Sequence, residues 1–498
     1  MKKLLTAAVL AFPLFAQTHS ETITVEVIDV PVYVYNAHGA LQNLKKDDFE
    51  LYVNGKPQTI AYFDPIDFRA PAKTEAVTPA APPRDIRNRR LFLLILDCAY
   101  SRPAAIDRAR KAAVAMIDAS APADYFSVAT FTSKHGLQLL TPFTNDHLVA
   151  KRAAMALQAS SLHDPLAIAI SANEREQAEV MAILNDDSAA RGASDDAEAA
   201  IAPLIGAAAA DNAKMQGIRL IEDQLTDYRT IANRIAPFEG YKHVVLMSEG
   251  FSHERAYSEA RLMQDMKSMA SAFRNAGAVV DTIDLGGTMT DEGFRDSLEN
   301  DALHLMARET GGQFVTRQNN LEKALNQISA ASAVGYRLGF NMPKDAKKGD
   351  NTIDVKVRNV PSGTAVSFRR GFSTTVSKPS AADGLLLADV ILNDVPQTGL
   401  APRIRFAEKP NVEVWIPAQK LLAINNGSPV NADVMFYIFD AKGAVVEFKE
   451  KKLVIPSDAR RDIAFRDAIH LPSGSYVAKA LLRAGDSLGF VKQEFAVP

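Results

Sequence analysis

Long apolar runs alternate with amphipathic stretches through the middle of the chain. The run RRLFLLILD ends in Asp97, and YKHVVLMSEG is a similar run that ends at Glu249. Runs of this kind, with polar residues on both sides, are typical of strands buried on both faces of a parallel sheet. AAIDRARKAAVAMIDA and SEARLMQDMKSMASAFRNAG carry apolar residues at helical spacing. The alternation predicts a doubly wound α/β sheet over residues 89–335.

Both sides of this block carry β patterns. Residues 21–68 include the partly alternating run TITVEVIDVPVYVYN and a hairpin signal at Asn54-Gly55. Residues 336–373 and 385–498 contain further short runs separated by turn residues, which is typical of β-sandwiches. Because β segments bracket the α/β block, we predict that 21–68 and 336–373 form one β module interrupted by the α/β domain. We predict a separate immunoglobulin-like β-sandwich over 385–498.

Three segments have the composition of connections. Residues 69–88 are rich in Ala and Pro without any period, and they predict an extended linker. Residues 374–384 predict a second linker. Residues 164–200 hold nine acidic and two basic residues, so we expect a solvated surface excursion from the α/β domain.

The first 16 residues have the pattern of a secretory signal peptide. Lys2 and Lys3 precede an apolar run from Leu4 to Phe15, and the small residue Ala16 follows. The run is shorter than the roughly 20 residues that span a bilayer. An N-terminal core element is the alternative interpretation. We therefore expect a secreted or periplasmic protein with no transmembrane segment.

Composition narrows the functional classes. A chain of 498 residues with 47 % apolar residues is long enough for about three domains with cores of their own. The formal charge of −3 lacks the basic excess of a non-specific nucleic-acid binder, so we expect no nucleic-acid partner. The single cysteine, Cys98, can form neither an internal disulfide nor a Cys-rich zinc site. We expect it to be a buried small residue rather than a nucleophile.

The segment LFLLILDCAYSRPAAIDRARKAA places Asp-x-x-x-Ser between a strand and a helix, and it resembles the opening of a von Willebrand factor A domain. YKHVVLMSEGFS resembles the later acidic loop of that fold, and AGAVVDTIDLGG and LHLMARETGGQFV resemble its last strands. The order of these motifs, with the β runs on either side, is similar over roughly residues 24–375 to von Willebrand factor A-related proteins. These are secreted bacterial proteins, abundant in acidobacteria. The resemblance implies a Rossmann-like doubly wound domain with flanking β-sandwich modules.

The resemblance also implies a metal-ion-dependent adhesion site, in which oxygen ligands hold a divalent cation and a partner's carboxylate completes the shell. Asp97 and Ser101 match the family's Asp-x-Ser-x-Ser motif, whereas Ala99 replaces the middle Ser. Glu249 stands at the position of the final Asp. The family's Thr loop falls near His163, where no Gly-Gly-Thr occurs. The implied site is degenerate: Asp97, Ser101 and Glu249 as ligands of Mg²⁺ or another divalent cation, either weak or vestigial.

These observations favour a non-catalytic binding or adhesion protein. The loops around Asp97, Ser101, His163 and Glu249 would bind a protein or cell-surface ligand. An envelope hydrolase that uses Asp97, Glu249 and a histidine is the alternative, and it requires perturbed carboxylates that converge in a deep pocket. A purely structural envelope protein is the third possibility.

Overall fold

A computed structural model describes residues 27–69, 86–156, 198–250, 260–286, 301–343, 345–375, 383–406 and 411–498. The predicted signal peptide, most of both linkers, His163 and the acidic excursion up to residue 197 lie outside the described residues. The described residues form a β-rich fold of several domains.

The described chain begins with five strands: β1 (Val27–Asn36), β2 (Gly39–Ala40), β3 (Phe49–Val53), β4 (Lys56–Gln58) and β5 (Tyr62–Asp67). β3 and β4 pair as an antiparallel hairpin. Their turn is Asn54-Gly55, and both residues have positive φ, 50° and 77°. This is the backbone that a two-residue hairpin turn requires and that Asn-Gly adopts most readily.

The middle of the chain alternates strands and helices. The elements are β6 (Arg90–Asp97), α1 (Pro103–Ala119), β7 (Tyr125–Thr132), β8 (Gly136–Thr144), α2 (His147–Ala156), α3 (Glu198–Ile235), β9 (Tyr241–Ser248), α4 (Ala260–Asn275), β10 (Ala278–Asp284), α5 (Asp301–Thr310), β11 (Phe314–Val315) and α6 (Leu321–Ala331). The strands form one sheet in the order β11-β10-β9-β6-β7-β8. Its pairs are parallel except for β7 with β8.

Helices cover both faces of this sheet. β6, β7, β9 and β10 are buried along their whole length, as continuous apolar strands require. On one face the core includes residues of α3, α4 and α5. On the other face it includes residues of α1, α2 and α6. The sheet is therefore the middle layer of a three-layer α/β domain.

Four strands follow the α/β domain: β12 (Val334–Asn341), β13 (Asp350–Val357), β14 (Ala365–Phe368) and β15 (Gly371–Ser373). β1 pairs with β12 and β14, and β12 also pairs with β5. In a second sheet β3 pairs with β13. Apolar residues from both segments, among them Val30, Phe49 and Tyr336, share one core. The strands before and after the α/β domain therefore form a single β module.

The last part of the chain contains α7 (Gly384–Asn393), β16 (Arg403–Phe406), β17 (Asn411–Ile416), α8 (Ala418–Ile424), β18 (Val430–Asp440), β19 (Val445–Ile455), β20 (Ile463–Ala468), β21 (Gly474–Ala484) and β22 (Ser487–Val497). Two antiparallel sheets, β16-β17-β20 and β19-β18-β21-β22, face a common core. The sequence pattern indicated the longer strands of this sandwich, but not β16, β20 or either helix.

Helix α7 spans the boundary at residue 385 between the predicted linker and the C-terminal domain. Asp383 caps it, because its side chain accepts hydrogen bonds from the backbone N–H groups of Leu385 and Leu386. Leu385 packs into the α/β core, whereas Val390 packs against the C-terminal sheet. The helix therefore belongs to both domains, and its two polar residues, Asp389 and Asn393, are buried instead of facing solvent.

Candidate functional site

Acidic residues collect where the central strands of the α/β sheet end. Asp97 is the last residue of β6, Asp284 is the last residue of β10, and Glu249 follows β9. Since β6, β9 and β10 are parallel neighbours, their ends lie at one edge of the sheet. We call this the top edge. Ligands of open α/β sheets bind at this edge.

Asp97 is almost completely buried, with 1 % of its surface exposed. One carboxylate oxygen accepts hydrogen bonds from the backbone N–H groups of Ala99 and Tyr100, at 3.0 and 3.1 Å. The other accepts from Gln224 Nε2 at 2.9 Å and from Ser248 Oγ at 2.6 Å. Burial raises the pKa of Asp97, and these four hydrogen bonds act in the opposite direction. The carboxylate therefore fixes the loop that follows β6.

Helix α3 supplies two of the polar contacts at the top edge. Gln224 Nε2 also donates to Tyr228 Oη at 3.0 Å, so the amide bridges its own helix and Asp97. One helical turn on, the carboxylate of Asp227 accepts from the backbone N–H of Leu137 in β8, at 2.7 Å. Helix α3 thus connects the end of β6 to the β7–β8 hairpin.

Ser101 and Glu249 join two neighbouring loops. Ser101 Oγ accepts a hydrogen bond from the backbone N–H of Glu249 at 3.1 Å. The carboxylate of Glu249 accepts from the backbone N–H of Arg102 at 3.0 Å and from its Nε at 2.8 Å. The Arg102 side chain is 45 % exposed, whereas that of Glu249 is 9 % exposed. The guanidinium of Arg102 is therefore the more accessible charge of this pair.

Asp284 is a top-edge acid that the sequence reasoning missed. It is buried, and its carboxylate accepts from the backbone N–H of Gly286 at 2.8 Å and from Thr316 Oγ1 at 2.9 Å. The signal was present in AVVDTIDLGG, an apolar strand that ends in an acid, as β6 does. Asp284 fixes the loop after β10 in the same way that Asp97 fixes the loop after β6.

The predicted metal ligands Asp97, Ser101 and Glu249 are brought to the same edge, but each of their side chains faces hydrogen-bond donors. A divalent cation requires oxygen atoms directed at it. Within the described ranges, no group of three or more His, Cys, Asp or Glu side chains is arranged to hold a metal ion. As arranged, this donor set does not fit a divalent cation.

Cys98 and His243 lie away from the solvent. Cys98 is buried, as expected, and its Sγ lies 3.2 Å from Thr130 Oγ1. His243 is buried near the start of β9, with Nδ1 3.3 Å from a carboxylate oxygen of Asp281. It therefore lies toward the opposite end of the strand from Ser248. The histidine predicted at the top edge, His163, is outside the described residues.

A cavity of about 1080 Å³ lies along α4. Its wall includes basic residues from three helices, namely Arg229, Lys267, Arg274 and Arg308. Neither Asp97 nor Glu249 lines it. The pair of carboxylates on which a hydrolase would depend is therefore separate from this cavity.

No protein-family model matches the chain, and no curated protein matches it. Solved structures similar to it include an aerotolerance-related membrane protein from Bacteroides fragilis and the conserved hypothetical protein BatB from Bacteroides thetaiotaomicron. Each is 14 % identical, with a TM-score of 0.28, and the alignments cover 48 % and 49 % of this chain and 98 % of each of those chains. The pilus adhesin SpaC from Lactobacillus rhamnosus GG is 9 % identical, with a TM-score of 0.28 over 82 % of this chain and 53 % of that chain. At these values the similarities assign neither a family nor a function.

None of the described helices is long and apolar enough to cross a membrane.

Proposed function

We propose that this chain is a secreted or periplasmic, non-catalytic protein of the adhesion type. In this proposal its α/β domain is a von Willebrand factor A-type domain of the kind found in secreted bacterial proteins, and β modules carry it. The loops of the top edge bind a protein or cell-surface ligand.

The observation that carries the proposal is the use made of the strand-end acids. Asp97 and Asp284 are buried, and their oxygens accept hydrogen bonds from loop N–H groups and from side-chain donors. A general acid or base must reach the reacting group of a substrate. Acids that hold loops in place by hydrogen bonds instead preorganise a surface, which lowers the entropic cost of binding a partner.

The ligand-binding residues divide into two groups. Asp97 and Ser101, 1 % and 3 % exposed, shape the loops from within. The Glu249 side chain is mostly buried against Arg102, and the exposed guanidinium of Arg102 is the part of this pair that meets a partner. His163 stays a predicted contact.

Binding to cells tests the proposal. The purified protein, labelled with a fluorophore on surface amines, is titrated onto intact bacterial cells, and the bound fluorescence is measured. We expect saturable binding that Arg102→Glu weakens at least tenfold. Lys420→Glu makes the same charge change on the exposed surface of α8, far along the chain from the top edge, and leaves binding unchanged. Absence of saturable binding, or equal loss in both variants, would contradict the proposal.

A structural envelope protein is a second candidate, favoured by the buried joint that α7 makes between two domains. A spacer needs rigid connections but no receptor surface. In that case neither the wild-type protein nor the Arg102→Glu variant would bind cells saturably, while both would remain folded.

A further inference from the structure

We propose that the top edge works without a metal ion, because the amide of Gln224 and the hydroxyl of Ser248 satisfy Asp97 in place of a cation. The inference deepens the proposed function. It is tested in two ways. The ligand-binding arm measures binding to cells and rests on that function, whereas the stability arm measures thermal unfolding and does not.

The first step is the capacity of the carboxylate. An ionised carboxylate offers about four lone-pair positions. Asp97 receives four hydrogen bonds, two from backbone N–H groups and two from the side chains of Gln224 and Ser248. All three side chains are at most 2 % exposed. A buried charge must be compensated by an ion or by hydrogen bonds, and here hydrogen bonds do so.

The second step is the direction of these donors. Gln224 faces Asp97 with its Nε2 group, which also donates to Tyr228 Oη. Ser248 Oγ donates to Asp97 and accepts the backbone N–H of Gly250 at 2.8 Å. A hard cation between them would meet N–H and O–H hydrogens instead of free oxygen lone pairs. Binding a cation would therefore require at least two buried hydrogen bonds to break.

The third step concerns Ala99, where a ligand oxygen is missing. Ala99 is 3 % exposed and packs in an apolar cluster with Phe131 of β7 and Leu220 of α3. An oxygen at this position would face apolar groups. Leu220 and Gln224 are one helical turn apart on α3, so the same helix covers Ala99 and hydrogen-bonds Asp97. The missing ligand oxygen at Ala99 and the amide of Gln224 therefore belong to one arrangement.

The consequence for recognition is that the positive charge exposed at this edge comes from the protein. The guanidinium of Arg102 is 45 % exposed and salt-bridged to Glu249. A planar guanidinium recognises carboxylates through paired N–H donors. A ligand at this edge therefore meets the ion pair of Arg102 with Glu249, of which the guanidinium is the exposed part, instead of a bridging cation.

Thermal unfolding tests the stability arm on the full-length protein. In 5 mM EDTA, Mg²⁺, Mn²⁺ or Ca²⁺ we expect the same wild-type melting temperature within about 1 °C, since only a ligand that binds the native state raises it. Gln224→Glu places a second carboxylate against Asp97. We expect it to melt lower than wild type in EDTA and to recover by several degrees with divalent cations.

Gln224→Met is the matched control, because it keeps the length of the side chain but supplies neither donor nor ligand. It should melt below the wild-type protein and show no response to cations. A wild-type melting temperature that rises with millimolar cation would overturn the inference. So would a Gln224→Glu variant as unresponsive as Gln224→Met. If Gln224→Glu does not fold in EDTA, the same comparison is made by refolding it with and without 5 mM Ca²⁺.

The ligand-binding arm uses the labelled protein on bacterial cells. We expect equal saturable binding in 5 mM EDTA and in 5 mM Mg²⁺. Binding that EDTA abolishes would overturn metal independence and leave the adhesion function standing. Absence of binding in both buffers would remove the adhesion function, while the melting temperatures would still decide whether a cation stabilises the site.

Discussion

The two edges of the α/β sheet place their buried charged residues differently and perform different tasks. At the top edge, acids at strand ends accept hydrogen bonds from the loops around them. At the opposite edge, which we call the bottom edge, the cations Arg89, Arg90 and Lys242 stand within one residue of a strand start. The partners of the bottom-edge cations are distant in sequence or are carbonyl groups at the end of α3.

The bottom edge joins the domains. Arg89 forms a buried bidentate ion pair with Asp389 of α7, with N–O distances of 2.9 and 3.0 Å. Arg90 pairs with Asp124 and lies 5.3 Å from the ring of Phe68, next to the β module. Strand-end charge thus has two uses: at the top edge it fixes loops through partners within the α/β domain, and at the bottom edge Arg89 reaches a partner in the helix that joins the next domain.

The largest effect should follow from breaking the joint at the bottom edge. Arg89→Met leaves Asp389 buried without its counter-charge, and removing one partner of such a pair costs about 3–5 kcal/mol. Urea unfolding measures the loss. Adding Asp389→Leu should restore much of the stability, because the double variant has no unpaired charge. A loss below about 1 kcal/mol for Arg89→Met would contradict the role given to this pair.

A smaller loss of stability is expected from removing Asp284, the top-edge acid that the sequence did not predict. Asp284→Ala leaves the N–H of Gly286 and the hydroxyl of Thr316 without this acceptor, which costs about 1–3 kcal/mol. The loss in urea unfolding should stay below that of Arg89→Met, because the affected groups are two uncharged donors within the α/β domain and no buried counter-charge is left unpaired. Asp486→Ala, in an exposed hairpin turn, serves as the control and should change little. An equal loss in both variants would show that Asp284 does not hold its loop.

The bottom edge should also respond to pH. Burial lowers the pKa of Lys242 to about 7, although its Nζ donates to the carbonyl of Phe238 at 2.5 Å. In the unfolded chain a lysine has a pKa near about 10.4. Between these values the unfolded chain binds more protons, so the free energy of unfolding rises with pH. The gain is complete above the unfolded pKa and disappears as pH falls through about 7.

We expect the rise from pH 7 to pH 9 to be about 2 kcal/mol in urea unfolding, since a full proton corresponds to about 1.4 kcal/mol per pH unit and the native lysine is half-protonated at the start of this range. Lys242→Met removes this group and should flatten the rise. Lys420→Met changes an exposed lysine and should retain it. A rise of the same size in the Lys242→Met protein would assign the pH dependence to other groups.

The smallest stability effect should come from the partly exposed pair at the top edge. Arg102→Ala removes the exposed partner of Glu249, whose carboxylate keeps the backbone N–H of residue 102 as a donor and gains access to water, so the loss should be about 1 kcal/mol or less. The variant should unfold at nearly the wild-type urea concentration yet lose cell binding. A large loss of stability would show that Arg102 has a structural role like that of Arg89 and is not part of a recognition surface.

Sequence could predict the parts of this molecule that have a period or a turn signal. The buried strands β6 and β9 stand out as apolar runs, and Asp97 and Glu249 follow directly from where those runs stop. The hairpin at Asn54-Gly55 has an equally local cause. The prediction of one module from 21–68 and 336–373 came only from the β segments on both sides of the α/β block, and the sequence did not indicate which strands pair, such as β1 with β12.

The remainder depends on tertiary contacts that no local pattern reports. Gln224 is a polar residue within the apolar stripe of a long helix, and only the approach of α3 to Asp97 gives it a role. Helix α7 packs against two domains and buries its polar residues Asp389 and Asn393, so its sequence lacks the solvent-facing polar stripe that marks a surface helix. Its ion-pair partner Arg89 is 300 residues away.

Helix α7 also determines how the protein can be taken apart. A cut at the apparent linker before residue 384 would separate Arg89 from Asp389 and remove Leu385 from the α/β core. A cut after the helix would instead expose its other side, which covers Met435 and Phe439 of the C-terminal sandwich. Neither cut would give fragments whose apolar cores are complete. Shuffling of these modules between proteins, in the laboratory or in evolution, must therefore carry the helix together with both of its neighbours.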